Sequence, residues 1–271
     1  MSGPITKALS LLTAWQRYGN PWSIWLARHL QPRGKVEIID RASRVRCKCT
    51  TASSWMFGET WHRRDYDVPK VPIRPSDIVL DVGANQGFFT CYAAHLGARV
   101  YAFEPFPQSF DTLLENVAAN GFEKNVVARA WALAGKNGTV DLIYSDRLGG
   151  GMNTINLRFS QNNQLDPRHQ MTVPCYTLPR IIMELNLDRI RLCKLDCEGA
   201  ELEILKQLSE KELQKIDAFA IEYHRDAYSL QELLGVILSW GTHHISFAEE
   251  QIFERYVLRL VSRRVLAEEV Y

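Results

Sequence analysis

The sequence predicts an α/β fold: a mostly parallel sheet with helices on both faces, an antiparallel edge at its C-terminal side, and a helical and hairpin extension in front. Three observations lead there. From Ser76 onward, short apolar runs alternate with helical stretches, the pattern of a sheet covered on both faces. The last two apolar runs, residues 244–247 and 256–261, lie a hairpin loop apart and so suggest an antiparallel pair. The 271 residues, 46% hydrophobic and 23% charged, suffice for one large domain or two small ones and exclude disordered, collagen-like and coiled-coil chains.

The elements follow in order. Ile5, Ala8, Leu9, Leu12 and Trp15 recur three or four apart and mark one face of a helix, which Gly19-Asn20-Pro21 interrupts. Pro21 opens a second short helix carrying Trp22, Trp25, Leu26 and Leu30, closed by Pro32-Arg33-Gly34. Residues 36–39 and 45–49 alternate apolar with polar, as two strands of a hairpin do. Residues 1–70 therefore read as an extension and 71–271 as the main domain. In the main domain, residues 78–81 form a strand that runs into a glycine-containing turn and a helix through Phe88, Tyr92, Ala93 and Leu96. Strands at 100–103, 125–133 and 140–144 come next, with a helix over 108–120 after the first of them. Residues 191–196 and 218–222 are two more buried strands, joined by a helix through Leu202, Leu205 and Leu208. Residues 145–171, with Gly149-Gly150-Gly151 and many amides, break the alternation and are expected to form a lid.

Charge is uneven. Residues 1–70 hold 12 Lys/Arg against 5 Asp/Glu, whereas residues 71–271 hold 20 against 26, a basic front piece on an acidic body. An acidic body without a basic, aromatic stacking platform argues against nucleic acid as partner. Basic amphipathic helices bearing Trp suit capping of the main domain, and residues 5–30 also suit a peripheral membrane surface or a second copy of the chain. Six scattered cysteines lack paired CxxC spacing, which points to reduced thiols and a cytoplasmic compartment. No secretory h-region opens the sequence, and no apolar stretch has the ~20 residues of a membrane span.

The chemistry concentrates at strand ends. Asp81-Val82-Gly83-Ala84-Asn85-Gln86-Gly87 stands at a strand-to-helix turn, with Glu104 placed 23 residues after Asp81 at the end of the next strand. Glycines there let the backbone approach a ligand, and a carboxylate after the second strand accepts ribose hydroxyls. The GxxxG spacing does not cradle a pyrophosphate, and Asp81 would repel one but suits an ammonium group. The expected ligand is an adenosine carrying a cation.

These residues, with Phe103-Glu104-Pro105 and Lys194-Leu195-Asp196-Cys197-Glu198-Gly199-Ala200-Glu201, resemble the class I methyltransferases of the FkbM family across about residues 60–250. The resemblance implies a Rossmann-like, seven-stranded sheet with S-adenosylmethionine at the carboxyl ends of the strands. It implies methyl transfer to an oxygen or, in some members, to a side-chain amide nitrogen. It places Asp81, Gly83, Asn85 and Gly87 at the methionine end, Glu104 on the ribose, and Pro105 and Phe106 along the adenine, with Ala84, Phe88 and Phe103 also at the cofactor. Ala132 and Leu133 would meet the adenine edge, and Asp196 would face the reacting methyl.

The fifth strand ends Ile221-Glu222-Tyr223-His224 and should lie beside the fourth, bringing Glu222 and His224 near Asp196 and Glu198. Methyl transfer needs alignment and a deprotonated acceptor, and histidine takes a proton near neutral pH, so His224 is the first choice of base. Lys194 is expected to pair with a carboxylate, and Glu201 to be a helix N-terminal charge. A competing mechanism has Asp196, Glu198 and Glu222 hold a divalent metal ion. It is not favoured, because metal-dependent relatives carry Asp-Asn where this chain has Glu222-Tyr223. Substrate contacts are expected from Trp61, Tyr66, Met152, Asn153, Thr154 and Tyr223. The expected reaction is O-methylation of a hydroxyl on a small molecule or glycan; the alternatives are N-methylation of a peptide side-chain amide and a non-catalytic cofactor-binding module.

Overall fold

The structure is a computed structural model that describes residues 15–30, 34–145, 152–241, 243–250 and 255–268. Most of the expected first helix and the triple glycine of the expected lid lie outside these residues. The main sheet takes β3 (Ile78–Val82), β4 (Arg99–Phe103), β5 (Val126–Arg129), β9 (Leu192–Leu195), β10 (Ala218–Tyr223), β11 (His243–Glu250) and β12 (Arg255–Ser262), in the spatial order β11-β12-β10-β9-β3-β4-β5. The central pairings β10–β9, β9–β3, β3–β4 and β4–β5 are parallel, while β12 pairs antiparallel with β10 and with β11. The antiparallel edge therefore stands where the close pair of apolar runs put it.

Strand residues alternate between two apolar layers. Val79, Val100, Ala102, Leu192, Ala218 and Ala220 face one, and Leu80, Val82, Tyr101, Phe103, Cys193, Leu195, Phe219 and Ile221 face the other. A strand buried on both sides has no polar face, which is why 78–82 and 218–223 read as almost unbroken apolar runs. Helices Phe88–His95 and Pro107–Ala119 contribute to the first layer, and Leu178–Glu184, Glu201–Leu205 and Leu230–Trp240 to the second.

The front piece shares the first layer through Val36, Ile38, Cys47, Phe57, Trp61 and Tyr66. It contains helix Pro21–Leu30, the antiparallel hairpin β1 (Lys35–Ile39) with β2 (Arg46–Thr50), and a turn of helix at Met56–Gly58 that continues as a π-helix over Glu59–Arg63. The hairpin edge is covered by two side-chain amides of the helix Pro107–Ala119 and its C-cap. Asn116 exchanges two hydrogen bonds with the Lys48 backbone at 2.7 and 2.8 Å, and Asn120 two with the Arg46 backbone at 2.9 and 2.7 Å. Both amides act as one residue of a neighbouring strand would, so the edge is not left open.

Residues 125–133, read as a single strand, divide. β5 stays in the main sheet, while β6 (Ala132–Leu133) joins β7 (Gly138–Ile143) and β8 (Gln170–Tyr176) in a separate sheet of order β6-β8-β7. The expected lid is correspondingly more built than its composition suggested: Leu157–Asn162 is helical, and residues 170–171 already belong to β8. All six cysteines are unbonded thiols, and no helix among the described residues is long and apolar enough to cross a membrane.

Candidate active site

The chain runs outward from β3 through β4 to β5, then returns on the other side of β3 as β9 and β10. Strand order reverses between β3 and β9, and the crevice at the carboxyl ends of the strands is where such sheets bind ligands. There the loop after β3 crosses the end of β9 at closest approach. A Cβ on Gly83 would stand 1.8 Å from the Asp196 carbonyl oxygen, and Gly83 has φ +72°, so this position requires glycine on both counts. The N–H groups of Gly83 and Ala84 both donate to the Phe103 carbonyl at 3.0 Å, tying the loop to β4.

A cleft opens at this point. Its apolar walls include Phe103, Pro105, Trp131, Leu133, Leu142 and Ile155, and its polar groups are Asn85, Glu104, Asn153, Asp196 and Glu198. Glu104 is 7% exposed and accepts the N–H of Phe106 on Oε1 and of Asn85 on Oε2, both at 2.8 Å. Burial pushes its carboxyl up to about 7, against the lowering effect of these two N–H groups and of Lys194. A carboxylate has about four acceptor positions, so two backbone donors leave room for two hydroxyls. Asn153 accepts the Ser145 N–H at 3.1 Å, while its buried Nδ2 has no hydrogen-bond partner among the described residues, a spare donor on a residue that lines the cleft. Paired acceptors, apolar walls and an orphaned donor fit a nucleoside.

A second, adjoining cleft shares Met56, Gly83, Asn85 and Asp196 with the first and adds Tyr66, Ala84, Phe88 and Lys194. Lys194 Nζ donates to Asp81 Oδ1 at 3.1 Å and to the Gly83 carbonyl at 3.0 Å, and lies 3.5 Å from Asp196 Oδ2. Burial works against its charge, but Asp81 and Asp196 outweigh burial and raise it above the usual lysine range. Asp81 is fully buried and also accepts Thr90 Oγ1 at 2.6 Å. Its charge is met inside the protein by Lys194 and it lines neither cleft, whereas its position at the strand end suggested a ligand ammonium.

Beyond Asp196 the carboxylates gather around one imidazole. The Tyr66 hydroxyl lies 2.8 Å from Asp196 Oδ2 and 3.0 Å from Glu222 Oε2. His224 Nε2 is 3.4 Å from Glu198 and 3.8 Å from both Asp196 and Glu222, and Nδ1 is 3.1 Å from Glu201. Burial opposes a charged ring, yet Glu201, Glu198 and Glu222 raise its pKa well above the ordinary histidine value. Carboxylates on both sides of the ring favour its charged form, an arrangement that works against the proton-accepting role expected of His224. Glu201, expected to be a helix-end charge, is fully buried; it accepts the Cys197 N–H at 2.6 Å and the Tyr228 hydroxyl at 2.9 Å. His224 and these donors outweigh burial and keep it below the usual carboxylate range.

Of the residues expected at the site, Gly83, Asn85, Phe103, Glu104, Pro105, Ala132, Leu133, Asn153, Asp196 and Glu198 line the first cleft, and Ala84, Phe88 and Tyr66 the second. Glu222 and His224 stand behind Asp196, reached through Tyr66 and Glu198. The rest do other work. Gly87 packs on Leu113, and Phe106 sits in the core of the small sheet facing Tyr144. Trp61 stacks on Phe57 away from both clefts. Met152 packs on the second apolar layer, Thr154 ties its hydroxyl to the Glu198 carbonyl at 2.6 Å, and Tyr223 bonds the Tyr228 carbonyl. Met56 and Trp131 line the first cleft without having been expected there. Trp131 follows β5 in a run that read as core, and Met56 lies in a front piece with no motif, so only the Trp131 position carried a signal.

Residues 81–245 match the methyltransferase FkbM domain. Methyltransferase sdnD of Sordaria araneosa is 28% identical over 200 residues, covering 63% of this chain and 74% of that protein. The hexuronic acid methyltransferase AglP of Haloferax volcanii is 27% identical over 173 residues, 61% of this chain and 66% of that one. The 31-O-demethyl-FK506 methyltransferase FkbM of Streptomyces tacrolimicus is 24% identical over 221 residues, 70% of this chain and 81% of that one.

Proposed function

The chain belongs to the FkbM methyltransferase family, and on that premise we propose that it is an S-adenosylmethionine-dependent O-methyltransferase acting on a hydroxyl of a small molecule or glycan. The cleft carries this reading: a nucleoside-accepting half built on Glu104 and Asn153 opens directly onto the acidic cluster led by Asp196. Two relatives lend it support, one named for a hexuronic acid and one for a 31-O-demethyl compound.

S-adenosylmethionine, when bound, supplies an electrophilic methyl carbon on a positively charged sulfur. Glu104 would hold the ribose hydroxyls, Asn153 would donate to the base, and Phe103, Pro105, Trp131 and Leu133 would exclude water around it. Asp196 belongs to both clefts and so meets cofactor and acceptor alike. Its carboxylate would take the acceptor proton as the acceptor oxygen attacks the methyl, and Tyr66 and Lys194 fix the carboxylate for that step. Lys194 also keeps buried Asp81 neutralised, so the net negative charge left at the cleft favours a cationic cofactor.

Residues 1–70 serve in this reading as a recognition extension, since Met56 and Tyr66 reach the clefts. Exposed Trp22, Trp25, Leu26 and Leu30 on helix Pro21–Leu30 give it a surface for peripheral membrane contact or for a second copy. Six unbonded cysteines favour a reducing compartment, the cytoplasm.

The test is incubation with methyl-labelled S-adenosylmethionine and pools of hydroxylated small molecules and oligosaccharides, followed by product mass analysis. Methyl ethers, formed with S-adenosylhomocysteine, are the expected products. Methylated peptide amides would replace the oxygen reading with the nitrogen one, and tight cofactor binding without turnover on any pool would leave a binding module.

A further inference from the structure

We propose that Asp196, Glu198 and His224 form a binding site for one divalent transition-metal ion of the manganese, iron or zinc class, at the acceptor end of the cleft. Among the described residues these three offer one ligand atom each, all within 4.8 Å of one another. Their side chains are 12%, 17% and 9% exposed, buried enough to be ordered and open enough for an ion to enter.

The spacing argues for an ion at the centre. Ligands about 2.0–2.2 Å from a shared metal stand about 3–3.5 Å apart. The separations from His224 Nε2, 3.4 Å to Glu198 and 3.8 Å to Asp196, are near or slightly above that range. They are poor as hydrogen bonds, and Nε2 of this nine-tenths-buried histidine, the ring nitrogen that faces Asp196 and Glu198, has no hydrogen-bond partner among the described residues. An imidazole is otherwise seldom left so in a polar pocket.

The surroundings match what metal-bound histidines require. Glu201 Oε1 stands 3.1 Å from Nδ1, on the side away from the cleft, and Tyr228 and the Cys197 N–H fix Glu201 in turn. Carboxylates placed in this way orient a ligating ring and raise its basicity. The backbone around Glu198 is also set: it adopts φ +51°, and the Thr154 hydroxyl holds its carbonyl at 2.6 Å. One nitrogen with two carboxylates selects a borderline divalent ion over calcium or magnesium, which prefer all-oxygen sets. The ligand set differs from the all-carboxylate one expected from sequence, with His224 in the place of Glu222.

The site itself stands on this geometry. Its role, binding the acceptor hydroxyl and lowering its pKa, rests on the methyltransferase reading. The experiment is titration of metal-stripped full-length protein with Mn²⁺, followed by calorimetry and by the electron paramagnetic resonance signal of the free ion, with S-adenosylhomocysteine binding measured on the same samples. One Mn²⁺ per chain is expected, with affinity falling at least tenfold in Glu198→Gln and in His224→Gln. No saturable Mn²⁺ binding, or equal binding by wild type and both variants, overturns the site. Glu198→Gln, at a partly exposed position, keeps the test informative if the His224 variant does not fold. Intact S-adenosylhomocysteine binding without Mn²⁺ binding removes the metal and leaves the proposed function, whereas Mn²⁺ binding without cofactor binding does the reverse.

Discussion

Replacing Glu104 by Gln tests the nucleoside half of the cleft. The carboxylate accepts one backbone N–H on each oxygen, from Phe106 and from Asn85. An amide keeps one acceptor, so one N–H then faces a donor and one ribose hydroxyl loses its partner. A hydrogen bond to a charged group contributes about 1.5–3 kcal/mol, which corresponds to a loss of affinity of about 10- to 100-fold. Calorimetric titration with S-adenosylhomocysteine at about pH 8 should show that loss, with the heat of unfolding retained. Wild type should carry a pH signature as well. Its Glu104 carboxyl stands at about 7 against 4.5 for the ordinary group. A folded-state value above the unfolded one means a stability contribution fully present below about 4.5 and lost as pH rises through about 7. The gap corresponds to about 3 kcal/mol, so wild type should lose up to about that much unfolding free energy between pH 5 and 8 relative to the Gln variant, which does not titrate there. Cofactor binding runs the other way, because the ribose needs the ionised form: wild-type affinity rises with pH through about 7 and the variant's stays flat. Equal affinity in the two proteins, or a flat wild-type profile, refutes the assignment of the ribose to Glu104.

Three further outcomes follow from the same geometry. Lys194→Met leaves Asp81 buried without its cation and should cost about 3–5 kcal/mol in urea unfolding; an unchanged midpoint would contradict the pairing. Gly83→Ala drives a Cβ into the Asp196 carbonyl at positive φ and should destabilise the fold by more than about 3 kcal/mol, which circular dichroism melts would show as a lowered Tm or an unfolded protein. Tyr66→Phe removes the hydroxyl between Asp196 and Glu222, and losing a hydrogen bond to a carboxylate at about 1.5–3 kcal/mol should lower methyl turnover at least tenfold. Cofactor affinity in the Tyr66 variant should stay within twofold, and a loss of binding instead would move Tyr66 to the cofactor.

The parts of the site that could be read from sequence are those where local pattern decides. An apolar run ending in glycine turns put Gly83 and Asn85 at a strand tip, and an acidic residue after the next strand put Glu104 beside them. Side-chain alternation put Lys194 and Asp196 on one face, and the parallel register Ile221 with Leu195 brings Glu222 next to Asp196 as the strand order implied. What could not be read depends on groups from several elements meeting at once. Asp81 reads as a ligand-facing carboxylate, and its two internal partners, Lys194 from β9 and Thr90 from the following helix, cannot be read from the sequence. The histidine of the fifth strand reads as a candidate base, and the sequence does not show that Glu198, Glu201 and Glu222 surround it. The departure of β6 from the main sheet has the same origin, since periodicity marks a strand without naming its partner.

The most direct measurement is a crystal structure of the full chain with S-adenosylhomocysteine bound. The account predicts both ribose hydroxyls within hydrogen-bonding distance of the Glu104 carboxylate, the base between Pro105, Trp131 and Leu133 near Asn153, and the sulfur turned toward Asp196. A ribose bound away from Glu104, or a cofactor lying outside the crevice between β3 and β9, would contradict it.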